Sequence, residues 1–175
     1  MIRLEGERVV LRAFRPDELD EVVEARARDA TAATPPASRA RIRQRLERSG
    51  RLVRGWLDLA IEADGRLVGE VDARQPPSAM PQGVFELGIL IYDTANRGRG
   101  YGREAISLIT DHLFAREDAE RVQASTSLEN AAMRRVFSTL GFVEEGVMRG
   151  FMPGPNGRDD YALYGVTKAE WTRRR

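Results

Sequence analysis

The stretch that decides the fold is ELGILIYDTANRGRGYGREAISLITDHLF, which runs from Glu86 to Phe114. Its beginning belongs to an apolar run at residues 84–91 whose one acid is Glu86, which predicts a buried strand. Its end has apolar residues at helical spacing, which predicts a helix over residues 100–116. A glycine-rich turn joins the two elements.

Residues 97–102 (RGRGYG) form a turn whose main chain can hold an anion. Glycine adopts positive φ at no steric cost and lets a ligand come close to the backbone. N–H groups at the start of the following helix point outward, with the positive end of the helix dipole behind them. This arrangement suits a pyrophosphate. The spacing differs from G-x-G-x-x-G and lacks a Gly-Lys-Ser/Thr ending, which argues against a Rossmann turn and excludes a P-loop. A plain strand–helix connection is the alternative.

Strands and helices alternate along the rest of the chain. Asp64-Gly65 between two apolar runs predicts a tight hairpin, and three prolines predict a loop over residues 75–83. Ser38 is a candidate cap for a second helix. Further strands are predicted at residues 8–14, 56–62, 66–72, 122–126, 142–151 and 160–166, and further helices at residues 17–29, 38–48 and 130–140. The chain is therefore predicted to be a mixed α/β single domain.

Composition excludes several classes of function. The chain has 175 residues, 42% of them apolar, and a net charge of +1, which is typical of one folded domain. The absence of cysteine excludes thiol nucleophiles and thiolate metal sites. His112 is the one histidine, and we interpret it as a surface or packing residue and expect no metal. Nothing resembles a signal peptide or a membrane span, so we expect a cytoplasmic protein without a membrane partner.

Seven arginines between Arg39 and Arg54 are opposed locally by Glu47 alone. The net charge of the whole chain is too small for a typical nucleic-acid-binding domain, so no nucleic-acid partner is expected. We interpret this segment as a solvated helix face, with attraction of an anionic ligand as the alternative.

The stretch from Glu86, followed by NAAMRRVF from Asn130 and LGFVEEG from Leu140, resembles the GNAT superfamily of acyl-CoA-dependent N-acetyltransferases. Within that superfamily it is similar to the RimJ/RimL and spermidine acetyltransferase-like branch. The family's pyrophosphate motif, Arg/Gln-x-x-Gly-x-Gly/Ala, is matched by Arg97, Gly100 and Gly102. The resemblance covers residues 7–171, is dense over residues 86–146 and is thin over residues 30–54.

The resemblance implies one domain over residues 1–175 with a mixed α/β (α+β) fold. Its central, mostly antiparallel twisted sheet would have six or seven strands flanked by about four helices, with splayed strands forming an acyl-CoA cleft. It also implies transfer of an acetyl group from acetyl-CoA to a primary amine by direct attack in a ternary complex. The residues expected to bind the cosubstrate are Leu90, Ile91, Arg97, Gly98, Arg99, Gly100, Tyr101, Gly102 and Asn130.

The acceptor is expected to be a protein N-terminus or a small-molecule amine, recognised by residues 31–56 and 73–83.

Glu86 is the expected catalytic base because it is the only acid inside the presumed central strand. The alternative is that Glu86 is an acid at the start of the strand that faces solvent. A homodimer stays open, because dimers are common among the relatives.

The proton donor for the leaving thiolate departs from the family's pattern. Many relatives carry a tyrosine at the position of Phe137, and RimL-like members carry a serine at Met133. Neither side chain in this sequence can give up a proton. Tyr164 is the named candidate, with Tyr161, Ser138 and release into water as alternatives.

Two other functions follow from the same residues. The missing donor leaves room for a CoA-binding module that has lost catalysis. A different acyl donor such as succinyl-CoA is the other alternative, in which Arg97 or an arginine of residues 39–54 would meet the distal carboxylate.

Overall fold

The computed structural model of the protein describes residues 1–29, 37–154 and 157–174. Residues 30–36, which include the start of the predicted acceptor-binding segment at residues 31–56, lie outside this range, as do Pro155, Asn156 and Arg175. The strands in the described chain are β1 (Leu4–Glu5), β2 (Val10–Arg12), β3 (Trp56–Ala63), β4 (Arg66–Arg74), β5 (Val84–Ile91), β6 (Arg121–Ser127), β7 (Val143–Gly154) and β8 (Gly157–Thr167). The α-helices are α1 (Leu19–Asp29), α2 (Arg39–Glu47), α3 (Tyr101–Arg116), α4 (Ala131–Leu140) and α5 (Lys168–Thr172).

All these strands form one sheet in the order β1-β2-β3-β4-β5-β6-β8-β7. The pair β5–β6 is parallel, and the other neighbouring pairs of the described chain are antiparallel. Backbone pairing between β5 and β6 ends at Leu87 and Ala124, although β5 continues to Ile91 and β6 to Ser127. The two central strands therefore separate and leave a V-shaped gap at their carboxyl ends.

The predicted fold class is confirmed, with two additional elements. β1 is a two-residue strand, which is too short to show an alternating pattern in the sequence. α5 starts after Thr167, whose hydroxyl accepts from the Glu170 N–H while the Glu170 carboxylate accepts from the Thr167 N–H. This capping box is visible in the sequence as T-K-A-E and could have predicted the helix.

Local sequence signals explain the turn between β3 and β4 and the start of α2. Asp64 and Gly65 have φ values of 50° and 74°, and they connect β3 to the antiparallel β4. This left-handed pair of residues matches the twist of a two-residue hairpin. Ser38 caps α2, because its hydroxyl accepts from the Arg41 N–H at 3.4 Å. Both predictions are confirmed.

The core consists of two apolar layers on opposite faces of the sheet. Side chains alternate along β3, so that Leu57, Leu59 and Ile61 pack against α3, whereas Ala60 belongs to the layer under α1 and α2. We call these the α3 face and the α1 face. α4 also lies on the α3 face, where buried Phe137 joins the larger layer.

The arginine-rich segment is only partly solvated, which corrects the sequence interpretation. The side chain of Arg45 is 14% exposed and contacts Asp58 and Glu70 on the α1 face. Burial by itself would raise the pKa of Glu70, but the charges of Arg45 and Arg26 outweigh burial and hold that pKa below its ordinary value. These contacts fasten α1 and α2 to the sheet. Helical spacing could not reveal them, because the acidic partners lie on β3 and β4.

Candidate functional site

A cleft of about 1030 Å³ follows the V-shaped gap in the sheet. It extends from the turn before α3, along the end of β5, to the end of β6 and the start of α4. Its volume is in the range of small-molecule and cofactor sites. All nine residues predicted to bind the cosubstrate line this one cleft: Leu90, Ile91, Arg97, Gly98, Arg99, Gly100, Tyr101, Gly102 and Asn130.

The turn before α3 lies at one end of the cleft. Gly98 and Gly100 have φ values of 74° and 84°, in the left-handed region that side chains other than glycine rarely adopt. The amides of residues 98–102 donate to no acceptor within the described chain. Because α3 begins at Tyr101, the last of these amides also lie at the positive end of its dipole. We call residues 98–102 the diphosphate cradle, because free amides in this arrangement can bind an anion such as a diphosphate.

Arginine side chains brace this turn. The Arg99 guanidinium donates to the carbonyl of Ala95 at 3.0 Å, and Arg8 donates to the carbonyl of Arg99 at 3.1 Å. Arg97 lies 3.5 Å from the carbonyl of Ile91, at the end of β5. These contacts hold positive charge at the cradle and connect it to the end of the cleft strand.

The other end of the cleft lies between the diverging strands. Leu90 and Ile91 of β5 remain paired with Glu70 and Gly69 of β4. On the opposite edge, no strand of the described residues pairs with β5 beyond Leu87. A main-chain edge without a strand partner can form hydrogen bonds with an extended ligand, such as a peptide or a pantetheine arm.

Asn130 lies both at the start of α4 and at the wall of the cleft. Its Oδ1 accepts from the Met133 N–H at 3.2 Å and so caps α4, and the residue also lines the cleft. Met133 lines the cleft as well, whereas Phe137 is 2% exposed and stacks on the Tyr164 ring with centroids 5.2 Å apart.

The structure does not bring Tyr164 to the cleft. Its side chain is buried on the α3 face, and its hydroxyl donates to Glu144 Oε2 at 2.5 Å. Burial and the Glu144 carboxylate both raise the pKa of Tyr164. Tyr161, three residues earlier on β8, lines the cleft instead. The reason is strand alternation, which sends positions an odd number apart to opposite faces. Exposed Ser138 donates to the carbonyl of Arg134 and does not line the cleft.

Glu86 lies on β5 before the strands diverge, and it does not line the cleft. Its Oε1 accepts from Arg74 at 2.7 Å, and its Oε2 lies 3.5 Å from the side-chain amide of Gln123. The carboxylate predicted to be the base is thus held in an ion pair.

Sequence reasoning missed several residues of the cleft. Asp29 at the end of α1 and Ser125 and Thr126 of β6 line it, and no motif marks them. The acids of β3 and β4 had a detectable signal, because Asp58, Glu70 and Asp72 lie between apolar residues inside predicted strands. Buried charges in strands call for partners elsewhere in the fold.

His112 is partly buried, with Nε2 at 3.1 Å from Glu117 Oε1. Among the residues that the structure describes, no group of three or more His, Asp or Glu is placed to hold a metal ion. None of the described helices combines the length and the apolar character that a membrane crossing requires.

The sheet with its parted central strands, together with the amide-lined turn, defines an acetyltransferase fold. Comparison with known proteins gives the particular family: residues 8–143 match the acetyltransferase (GNAT) domain, and the chain belongs to this family.

Individual relatives agree with this assignment. The probable N-acetyltransferase YjcK of Bacillus subtilis strain 168 is 32% identical over 87 residues, which cover 50% of this chain and 47% of YjcK. The chain therefore matches about half the length of this curated relative. A putative acetyltransferase from T. thermophilus superposes with a TM-score of 0.74 and 27% identity, over 99% of this chain and 93% of that chain.

Mycobacterium smegmatis RimJ, solved in complex with CoA-disulfide, has a TM-score of 0.75 and 20% identity, over 93% of this chain and 83% of RimJ. At that identity the likeness concerns the fold.

Proposed function

We propose that the protein transfers an acetyl group from acetyl-CoA to a primary amine. The observation that carries the proposal is the continuous cleft that joins the amide-lined turn at residues 98–102 to the open edge of β5. An anion-binding turn at one end and a free strand edge at the other suit a ligand with a diphosphate and an extended amide chain.

The residues of the cleft have distinct tasks in this function. The amides of residues 98–102 hold the diphosphate, with Arg97 and Arg99 adding charge. The free edge of β5 at Leu90 and Ile91 aligns the pantetheine arm, and Asn130 donates to it from the start of α4. The cosubstrate supplies a thioester, whose carbonyl carbon is the electrophile. A backbone N–H of β5 directed at the thioester oxygen stabilises the negative charge that develops there.

The acceptor must lose protons to react. A small-molecule amine with an ordinary pKa of about 10, or a protein α-amine near 8, is largely protonated at neutral pH. Asp29 at the cleft offers negative charge to an incoming ammonium group. In this function Tyr161, which lines the cleft, returns a proton to the sulfur, which Met133 and Phe137 cannot do. Holding both substrates in one complex supplies much of the rate enhancement.

The test combines a binding and a turnover measurement. Thiol release from acetyl-CoA is followed with a chromogenic trap, with spermidine and a short peptide bearing a free α-amine as acceptors. CoA affinity is measured by calorimetry on the same preparation. We expect that CoA binds and that thiol is released only when an acceptor is present.

Two outcomes lead to other functions. CoA binding without turnover of either acceptor favours the non-catalytic module that Met133 and Phe137 suggest. A higher kcat/KM with succinyl-CoA than with acetyl-CoA favours the alternative acyl donor. Absence of any CoA binding overturns the proposal altogether.

A further inference from the structure

The cleft carries more positive charge than the diphosphate cradle uses. Among the described residues, one acid, Asp29, lines it against five arginines: Arg8, Arg97, Arg99, Arg103 and Arg135. The first three of these arginines donate to main-chain carbonyls around the turn. Arg103 and Arg135 are exposed, and neither has an acidic or carbonyl partner within the described chain. Two guanidinium groups of the cleft are therefore free to meet a ligand.

One face of α4 forms a wall of the cleft that leads away from the gap between the central strands. The lining residues of this face follow helical spacing: Ala132, Arg135, Val136 and Thr139. The helix starts four residues after the end of β6, beside the gap. The rise of a helix places Thr139 about 13 Å along α4 from its cap, Asn130. Arg135 thus lies on the part of the wall that extends beyond the cap.

The second free arginine comes from α3, on the other side of this part of the cleft. Arg103 lies in the first turn of α3 and directly follows Gly102 of the diphosphate cradle. The helices α3 and α4 pack against each other. Each helix therefore contributes one free guanidinium to the wall of the same cleft, and one of the two adjoins the cradle.

A smaller cavity of about 220 Å³ beside the cradle does not suit an anion. It shares three residues with the cleft: Arg8, Gly100 and Arg103. Two acids, Glu7 and Glu104, also line it. The Glu104 carboxylate accepts from the main-chain N–H of Arg8 at 3.0 Å and from that of Glu7, which holds its negative charge in place. These carboxylates repel a phosphate, so an anion near Arg103 is directed into the cleft, which Arg135 lines.

Free arginines at a nucleotide-sized cleft match a phosphate group. The planar guanidinium donates two parallel hydrogen bonds to phosphate oxygens. CoA carries a phosphomonoester on its ribose in addition to the diphosphate, and such a group has a charge of about −1.5 to −2 at pH 7. The amides of the cradle serve the diphosphate. The two remaining arginines balance the charge of the second phosphate.

We propose that Arg103 and Arg135 bind the ribose phosphomonoester of the CoA-type cosubstrate, so that the protein selects the phosphorylated nucleotide. The inference rests on the function proposed above. Because the phosphomonoester lies at the nucleotide end of the cosubstrate and the sulfur at the other end, these arginines set the affinity and take no part in proton transfer. Removing either one should weaken binding of CoA and leave kcat at saturating acetyl-CoA unchanged.

The probe is dephospho-CoA, which differs from CoA by this phosphate alone. By calorimetry, the wild type should bind CoA about 25-fold more tightly than dephospho-CoA, because each arginine contributes about 5-fold, as a strong exposed ion pair does. Arg103→Gln and Arg135→Gln should each raise the Kd for CoA by about 5-fold and leave the Kd for dephospho-CoA unchanged. An unchanged Kd for dephospho-CoA also shows that the variant is folded.

Two further variants sharpen the test. Arg135→Glu repels the phosphomonoester, so it should show a smaller preference for CoA than Arg135→Gln. Arg116→Gln is the matched control, because it removes an exposed arginine from the last turn of α3 that does not line the cleft, and both Kd values should stay those of the wild type.

The outcomes separate this inference from the proposed function. Equal affinity of the wild type for CoA and dephospho-CoA overturns the inference alone. Equal weakening of both ligands in Arg103→Gln and Arg135→Gln also overturns it, because the arginines then act on the diphosphate. Failure of the wild type to bind either ligand overturns both the inference and the proposed function.

Discussion

Tyr161 and Tyr164 lie on the same strand, yet Tyr161 lines the cleft while the Tyr164 hydroxyl is buried against Glu144. One phenol is therefore accessible to a ligand and the other belongs to the core. The structure therefore separates two tyrosines that the sequence analysis considered as proton donors, Tyr164 as the named candidate and Tyr161 as an alternative.

The first prediction concerns these two hydroxyls. Tyr161→Phe should lower kcat by about 100-fold, the usual range for loss of a general acid, and leave the melting temperature unchanged. Tyr164→Phe should keep kcat and lower the free energy of unfolding by about 1–2 kcal/mol, because a buried hydrogen bond is lost. Steady-state kinetics and thermal unfolding of both variants check this. Equal kcat in Tyr161→Phe and the wild type would contradict the role of Tyr161 as proton donor to the sulfur.

The second prediction concerns the diphosphate cradle. Gly100→Asp places a carboxylate beside the bound anion and a side chain at a φ of 84°. The Kd for CoA should rise by about 100-fold, which corresponds to about 2.7 kcal/mol. Calorimetric titration with CoA measures the change.

Two control variants separate binding from folding. Gly65→Asp imposes similar backbone strain at a φ of 74° with nothing within 4 Å, far along the chain in the β3–β4 turn, and it should bind CoA normally. Gly102→Ala adds a Cβ at 3.6 Å from Ile89 Cδ1, an ordinary contact, and it should also retain binding. Undiminished affinity in Gly100→Asp would remove the basis of the cradle.

The third prediction separates the two roles of Asn130, which are capping α4 and binding the cosubstrate. Asn130→Ala loses the cap of α4 and should destabilise the protein by about 1 kcal/mol. Asn130→Ser preserves a capping oxygen but has no amide to offer the cosubstrate. We expect both variants to raise the KM for acetyl-CoA, and Ala alone to lower the melting temperature. If the serine variant has the KM of the wild type, Asn130 acts as a cap only.

The fourth prediction concerns stability in acid. The pKa of Glu70 lies below its ordinary value of 4.5, so its ionised form stabilises the folded state. That contribution is complete above pH 4.5 and is lost as the pH falls from there through the lower pKa of the folded state. Glu70→Gln should lower the free energy of unfolding at pH 7 by about 3 kcal/mol, because Arg45 and Arg26 lose a buried partner.

Denaturant unfolding at pH 7, 5, 4 and 3 measures this effect, and the variant should show a shallower loss of stability in acid than the wild type. Glu5→Gln, which removes an exposed partner of Arg3, is the control and should change little. Parallel curves for Glu70→Gln and the wild type would show that the buried ion pairs do not set the acid slope.

Much of the architecture could be predicted because its signals are local. An apolar run, a glycine turn and an amphipathic helix follow one another in β5 and α3, and Asp64-Gly65 specifies a hairpin by its own backbone preferences. Caps at Ser38 and Asn130 depend on residues three positions apart. Each of these signals lies within a few residues, where sequence distance and spatial distance are nearly the same.

Other features depend on which strand lies beside which. Whether Tyr161 or Tyr164 reaches the cleft depends on the orientation of β8. The sequence shows only that the two side chains point to opposite faces of the strand. The burial of Arg45 arises because α2 crosses strands that carry Asp58 and Glu70, which are distant in the chain.

The sequence by itself determined the order of the longer strands and helices and the turn at residues 97–102, because backbone preferences and apolar periodicity act over short stretches. The tertiary structure alone decided that β5 and β6 part after Leu87, that Asp72 lies over Gly88 and that Glu86 is held by Arg74. The physical reason is that register and side-chain approach between strands are set by packing of the whole sheet.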